Sequence, residues 1–295
     1  MMEKTLYINL REKTCSDDIS MLFPGWEEGA ERLAVFGAHD DDPLIGAGYA
    51  IAAAQQHGAE IYPVIFCKGD CGYSLPEQKS TIVETRRYEN ENAYVKFGIS
   101  KENIVRFEYP DFSVWQYAGN KLECGKAGVF SKIVEFVRHK KITRLLLPNG
   151  YREHYDHTSV YEMAIFDAVQ AGDPIAPDIG ETQKIKSYLQ YSVWADFSPE
   201  DAMVCGEKNM AIRANMAILC PGSVEERVLC AIGEYTSQSA IIGGLLESRK
   251  ERFTGEGYME MYIALDPRPK LDYRPYVDLI NGILNAERKL LFNTI

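Results

Sequence analysis

Five histidines occur in the 295 residues, and three of them stand in two short acidic segments. One is Ala38-His39-Asp40-Asp41-Asp42-Pro43; the other is Glu153-His154-Tyr155-Asp156-His157. Three consecutive carboxylates packed together away from water repel one another, and at least one pKa must rise. A bound cation relieves that repulsion, with neutral imidazoles as its natural co-ligands. Two histidines and one carboxylate leave coordination positions open, which is the catalytic rather than the structural arrangement of zinc. Water on such an ion is a nucleophile near neutral pH, and a spare carboxylate beside it takes its proton. The plainer alternative for Asp40–Asp42 is a solvated loop that caps a helix opened by Pro43. Imidazoles on both segments count against that alternative. His57 and His139 fall near helix ends and read as surface residues.

The elements that must carry these segments follow from periodicity. Leu33–Gly37 is a short apolar run of strand type, followed by a small-residue helix from Pro43 to Gly58. Ile61–Phe66 reads as the next strand, Pro76–Phe97 as a helix stopped by Gly98, and Ile104-Val105-Arg106-Phe107 as a third strand. A helix over 127–140, the strand Arg144–Pro148 and a helix over 158–171 continue the alternation. Strands alternating with helices of this length mean βαβ units. The expectation is therefore an α/β fold, Rossmann-like, with a mostly parallel sheet flanked by helices. Such a sheet binds ligands outside the carboxyl ends of its strands, and both histidine segments arrive there. Beyond about residue 180 the pattern loosens into a C-terminal elaboration, with a strand over 188–194 and one long amphipathic helix over 224–252. Residues 1–30 read as an N-terminal extension, and 31–295 as a single domain.

Composition narrows the partners. A chain near 300 residues buries a sizeable core, and 46% hydrophobic with 25% charged residues excludes a disordered or fibrous protein. A net charge of −11 argues against nucleic acid or an anionic lipid surface as the main partner. No apolar run approaches the ~18 residues of a membrane span, and no basic-then-apolar leader opens the chain, so a soluble, cytoplasmic protein is expected. Seven cysteines without framework spacing read as free thiols; Cys67 and Cys71 lack the spacing of a redox or zinc pair.

The two histidine segments, taken in order, resemble the PIG-L or LmbE-like N-deacetylases. That family carries Ala-His-Pro-Asp-Asp after its first strand, a glycine-rich helix start, and His-x-Asp-His on a later loop. Here these read Ala38–Asp42, Gly46-Ala47-Gly48 and His154–His157. Arg86-Arg87-Tyr88-Glu89 through Phe97-Gly98 resembles the family's Arg-x-x-Glu helix. Arg227 to Gln238 resembles its late basic-x-x-Ala to Ser-Gln segment. The likeness spans about residues 33–262. It implies His39, Asp42 and His157 as metal ligands, Asp41 as general base, His154 as oxyanion stabiliser with Asp156 orienting it, and Arg86 at the substrate. The residues alone do not say which aspartate ligates; the family supplies that. Zinc is the implied metal, and iron(II) fits the same ligands.

The implied function is a zinc-dependent hydrolase that removes an acetyl group from an N-acetylated amino-sugar conjugate. Its partner would be that small molecule, with homo-oligomer formation left open. Departures from the pattern are Asp40 where the family has proline, Pro43 where it has glutamate, and Tyr49 after Gly48. Asp40 is expected to point to solvent. Tyr73, Tyr109, Trp115 and Tyr151 are offered either as stacking faces for sugar or as packing. Three rivals are weaker. Gly46-Ala47-Gly48 lacks the third glycine of a nucleotide fingerprint and follows three aspartates, which would repel a pyrophosphate. A two-His-one-carboxylate iron oxygenase fits the ligands but not the α/β alternation. A metal-binding protein without catalysis, or a hydrolase of another amide, stays as the alternative.

Overall fold

The computed structural model describes residues 3–204 and 209–292, with side chains given for 3–202 and 209–286. The chain opens with β1 (Leu6–Asn9), β2 (Thr14–Ser16) and β3 (Arg32–Gly37), then α1 (Asp42–Gln56) and β4 (Glu60–Cys67). A turn at Pro76–Ser80 precedes α2 (Ile82–Lys96); β5 (Val105–Tyr109), α3 (Val129–His139), β6 (Arg144–Pro148) and α4 (Tyr155–Asp167) follow. The later half holds β7 (Ser187–Tyr191), α5 (Pro199–Val204), β8 (Met216–Cys220), α6 (Gly222–Ile232), α7 (Ser239–Ser248), β9 (Tyr258–Leu265) and α8 (Arg274–Phe292).

All nine described strands form one sheet in the order β2-β1-β8-β9-β7-β6-β3-β4-β5. The five strands from β7 to β5 pair in parallel, as the βαβ alternation requires. The remaining strands extend that sheet antiparallel from β7. Along β3 the side chains alternate between two cores, as a pleated strand must. Leu33 and Val35 join the layer with α1, α2 and α6. Ala34 and Phe36 join the layer with α3 and α4.

Three expectations change here. The extension expected over residues 1–30 does not stand apart: residues 3–30 supply β1, β2 and the core residues Tyr7, Ile19, Leu22 and Phe23. Buried Arg144 ties this segment to β6. It pairs with Glu31 Oε1 at 2.7 Å and donates to the carbonyls of Pro24 and Gly25 at 2.8 Å each. The expected long helix over 224–252 is two helices, because the chain breaks at Gly233–Gln238 to answer Glu89. The expected helix from Pro76 starts properly only at Ile82, after its separate turn. Residues Asp266–Ile295, which contain α8, form a second compact unit.

The glycines at the start of α1 serve close packing. A Cβ on Gly46 would run into the Tyr191 ring, and one on Gly48 would meet Val228 at 2.8 Å. This holds α1 down on β7 and α6, and so places the acidic turn that precedes it.

Candidate active site

β3 and β6 lie side by side in parallel, with β4 beyond one and β7 beyond the other. Chain connections therefore diverge between their carboxyl ends, which is where an open α/β sheet makes its crevice. His39 follows β3, and His154 and His157 open α4 after β6. The ligand-type atoms of His39, Asp42 and His157 all lie within 4.8 Å of one another. Asp42 Oδ2 accepts the His39 main-chain N–H at 2.7 Å and stands 3.1 Å from His157 Nε2 and 3.5 Å from His39 Nδ1.

Glu153, one turn before His157, decides how that imidazole is used. Its Oε2 takes the His157 Nδ1–H at 2.8 Å, leaving Nε2 buried with no hydrogen-bond partner among the described residues. A bare ring nitrogen held this way by a carboxylate is the arrangement of a metal-ligating histidine. Glu153 Oε1 also accepts from the main-chain N–H groups of Val193, Trp194 and Ala195 at 2.8 to 3.1 Å. The donor set of two imidazoles and one carboxylate suits a divalent ion such as zinc or iron(II).

Asp40 does not face solvent. Its side chain is completely buried, accepting from Arg86 Nε at 2.9 Å and from Arg106 Nη1. The Asp40 carbonyl accepts from Tyr94 Oη at 3.0 Å and Tyr235 Oη at 2.7 Å, so α2 and the turn after α6 both brace the acidic segment. Arg86 donates its Nη2–H to Asp41 Oδ1 at 3.1 Å and is buried. Its nearest partners are thus the two aspartates, whereas Glu89 caps the Thr236–Ser237 turn.

The ionisation of the group follows from these contacts. Burial raises the Asp41 pKa and Asp42 adds to it, against the pull of Arg86, so Asp41 is a better base than an exposed aspartate. For Asp42 burial also pushes upward, but His157 and His39 outweigh it and hold the carboxylate ionised. Burial opposes charge on His157 as well; Asp42 and Glu153 still lift it to about 9. A cation between them competes with that proton. Burial, reinforced by His39 and His157, drops His154 to about 4 and keeps it neutral. The His154 Nδ1 accepts the Asp156 main-chain N–H at 3.1 Å, so the ring hydrogen is on Nε2, available as a donor. The Asp156 carboxylate accepts from the Phe112 N–H at 2.7 Å and stands 3.6 Å from His39 Nε2. Asp156 therefore meets His154 through its main chain.

The aromatic rim differs from the one the sequence suggests. Tyr109 is buried against Phe107 and Tyr117, and Tyr151 lies under Arg152. Instead Phe112 and Trp194, both about half exposed, face the histidines. Their ring centroids lie 4.7 Å from His154 and 4.9 Å from His157 respectively. Phe112 adopts φ 60°, a left-handed conformation that aims its N–H at Asp156. Cys67 and Cys71 do not come together: the buried Cys67 lies with His39 and Asp156, the exposed Cys71 with Asp70 and Asp111.

Residues 34–168 match the sequence profile of PIG-L, described as GlcNAc-PI de-N-acetylase. Over that segment the chain resembles the PIG-L family. The matched segment contains His39, Asp41, Asp42 and His157. Solved structures agree in fold. An N,N'-diacetylchitobiose deacetylase from Pyrococcus horikoshii superposes with a TM-score of 0.64 at 18% identity, over 84% of this chain and 90% of its own. A conserved protein from Thermus thermophilus gives 0.60 at 20% identity, over 82% and 97%. The 4-carboxy-2-hydroxymuconate hydratase from Pseudomonas putida gives 0.60 at 18%, over 82% and 99%. A sequence comparison with curated proteins gives no match. Glu153, Arg106, Phe112 and Trp194 escape a reading of the sequence. Only Glu153 has a signal there, standing one helical turn before a candidate ligand.

Proposed function

We propose that this protein is a metal-dependent N-deacetylase acting on an N-acetylated amino-sugar conjugate. The observation that carries the reading is the bare, buried His157 Nε2 facing Asp42 and His39, with a basic carboxylate, Asp41, alongside. The PIG-L match over residues 34–168 and the likeness to deacetylase structures support it. His39, Asp42 and His157 would hold the ion, zinc by resemblance. Such an ion supplies Lewis acidity toward the amide carbonyl and makes water more acidic. Asp41 takes the proton from the attacking water and is placed to return it to the departing amine. Arg86 fixes the Asp41 carboxylate, so a role at the substrate would be through that residue. The neutral His154 presents Nε2–H to the developing oxyanion. Asp156 sets its tautomer through the main-chain N–H.

The test is acetate release from a panel of N-acetylglucosamine conjugates by zinc-reloaded protein, against a chelated control. Asp41→Asn should keep the metal and lose roughly 10²–10⁴-fold in turnover, the range of one acid–base group. His157→Ala should lose the metal. Near-full activity in the first variant, or stoichiometric loading in the second, would refute the role given to that residue. Metal without acetate release from any conjugate would point to another amide or to binding alone.

A further inference from the structure

One imidazole borders two donor groups. His39 Nδ1 stands 3.5 Å from Asp42 Oδ2, in the site already described, and Nε2 stands 3.6 Å from Asp156 Oδ2. The ligand-type atoms of His39, Cys67 and Asp156 all lie within 4.8 Å of one another, as close as those of His39, Asp42 and His157. Cys67 and Asp156 are completely buried. The Cys67 N–H bonds to the Ala38 carbonyl at 2.9 Å, which fixes the end of β4 beside the turn that carries His39. Neither the Cys67 thiol nor Asp156 Oδ1 has a part in the proposed reaction. Asp156 Oδ2 accepts the Phe112 N–H, whereas Oδ1 is buried with no hydrogen-bond partner among the described residues. A buried carboxylate oxygen without a donor is unfavourable, and a cation answers it. Sulfur, imidazole nitrogen and carboxylate oxygen together suit zinc better than magnesium or calcium.

A second thiol gives the contrast. The exposed Cys71 also sits with two carboxylates, those of Asp70 and Asp111. There every carboxylate oxygen is engaged. Asp111 accepts the Gly69 and Cys71 N–H groups, while Asp70 accepts the Asp111 N–H and pairs with Lys68. That cluster answers its own charge, and the buried one does not. We infer that His39 Nε2, Cys67 Sγ and the Asp156 carboxylate form a second cation site, for a soft divalent ion such as zinc, adjoining the first. His39, with 17% of its side chain exposed, is the route of entry. Binding breaks the thiol S–H and ring Nε2–H bonds, forms bonds from sulfur and nitrogen to the ion, and releases both protons to solvent. With the first ion on Nδ1, the ring bridges the two as an imidazolate. Each ion lowers the basicity of the ring toward the other, so the second binds more weakly than the first. The inference rests on the metal-site reading for the first ion and on no catalytic step.

The experiment titrates the full chain, stripped by a chelator, with cobalt(II) and in parallel with zinc. Cobalt(II) held by nitrogen and oxygen gives only weak visible bands, whereas a thiolate ligand adds an intense near-ultraviolet charge-transfer band. The first equivalent should give the former and the second equivalent the latter. Cys67→Ser should keep the first equivalent and lose the second together with the band; Cys71→Ser should change neither. Cys67→Ala gives the same reading without a buried hydroxyl, and circular dichroism shows that the variants fold. Asp156→Asn should lose the second equivalent of zinc in competition with a chromogenic chelator. Saturation at one equivalent without a thiolate band would overturn the second site. A band that survives Cys67→Ser and vanishes with Cys71→Ser would overturn it as well. A thiolate band at the first equivalent would keep the Cys67 site and overturn the ligand set given to the first ion. Two bound equivalents without acetate release would keep this site and overturn the deacetylase reading.

Discussion

Asp40 offers the sharpest test of the packing, because the family pattern has proline there and solvent is the obvious place for a third aspartate. In the fold its carboxylate is wholly buried and shared by Arg86 and Arg106. Asp40→Ala leaves Arg86 with Asp41 alone and Arg106 with Glu108, whose side chain is 35% exposed. Arg106 Nη2 already lacks a partner among the described residues, so the variant deepens an existing deficit. Removing one member of a buried ion pair costs about 3–5 kcal/mol. Each arginine keeps one acid here, which places the loss near the lower end, about 3 kcal/mol. For a body the size of Met1–Leu265, where each kcal/mol moves the midpoint by about 2–4 °C, Tm should fall by roughly 6–12 °C. Asp40→Pro, the family residue, should be no milder. The assay is thermal unfolding by circular dichroism in low and high salt, because a buried pair is poorly screened. Arg106→Met completes a double-mutant cycle, and its combination with Asp40→Ala should cost at least about 1 kcal/mol less than the sum. A Tm within about 2 °C of the parent, or strict additivity, would show that the carboxylate is solvated and the triad is not a unit.

Two further outcomes follow. Glu153→Gln should weaken metal binding about 10–100-fold, the usual effect of losing a ligand's carboxylate partner, as read by competition with a chromogenic chelator; unchanged affinity would remove Glu153 from the site. Burial lifts Asp167 on α4 to about 6. The folded state thus holds a proton that the unfolded state releases near pH 4, and stability falls as pH rises from about 4 to 6. Asp167→Asn should therefore melt higher above pH 6, by up to about 2 kcal/mol, and match the parent below pH 4. An equal gain at every pH would rule out the titration as its cause.

How much was legible depends on the range of the interaction. The parallel strands and the helices between them could be read because their apolar periodicity is local, and β3 and β6 put both histidine segments at one crevice by topology. The antiparallel strands escape such a reading because β1, β8 and β9 are defined by pairing with one another, across separations of up to about two hundred residues, rather than by a local βαβ alternation. The break between α6 and α7 is hidden for the same kind of reason. Its turn is written by Glu89, a residue on α2, and nothing in the periodicity of 224–252 announces it. Phe112 and Trp194 carry no signal, since a ring becomes a site wall only when its loop is folded beside the histidines.

The sequence by itself determined the chemical inventory: imidazoles and carboxylates at the ends of two neighbouring strands, in a set that suits a divalent ion. Residue type and local order suffice for that. Tertiary structure alone decided the state of each group. Asp40 is buried because Arg86 on α2 and Arg106 on β5 converge on it, and charge burial depends on neighbours that the local sequence does not contain. His157 presents a bare nitrogen because Glu153 takes the other, and Asp41 is basic because the fold removes water from it. Desolvation and pairing act through space, so only the assembled fold could give three adjacent aspartates different states: Asp40 paired with two arginines, Asp41 desolvated and Asp42 held ionised between two imidazoles.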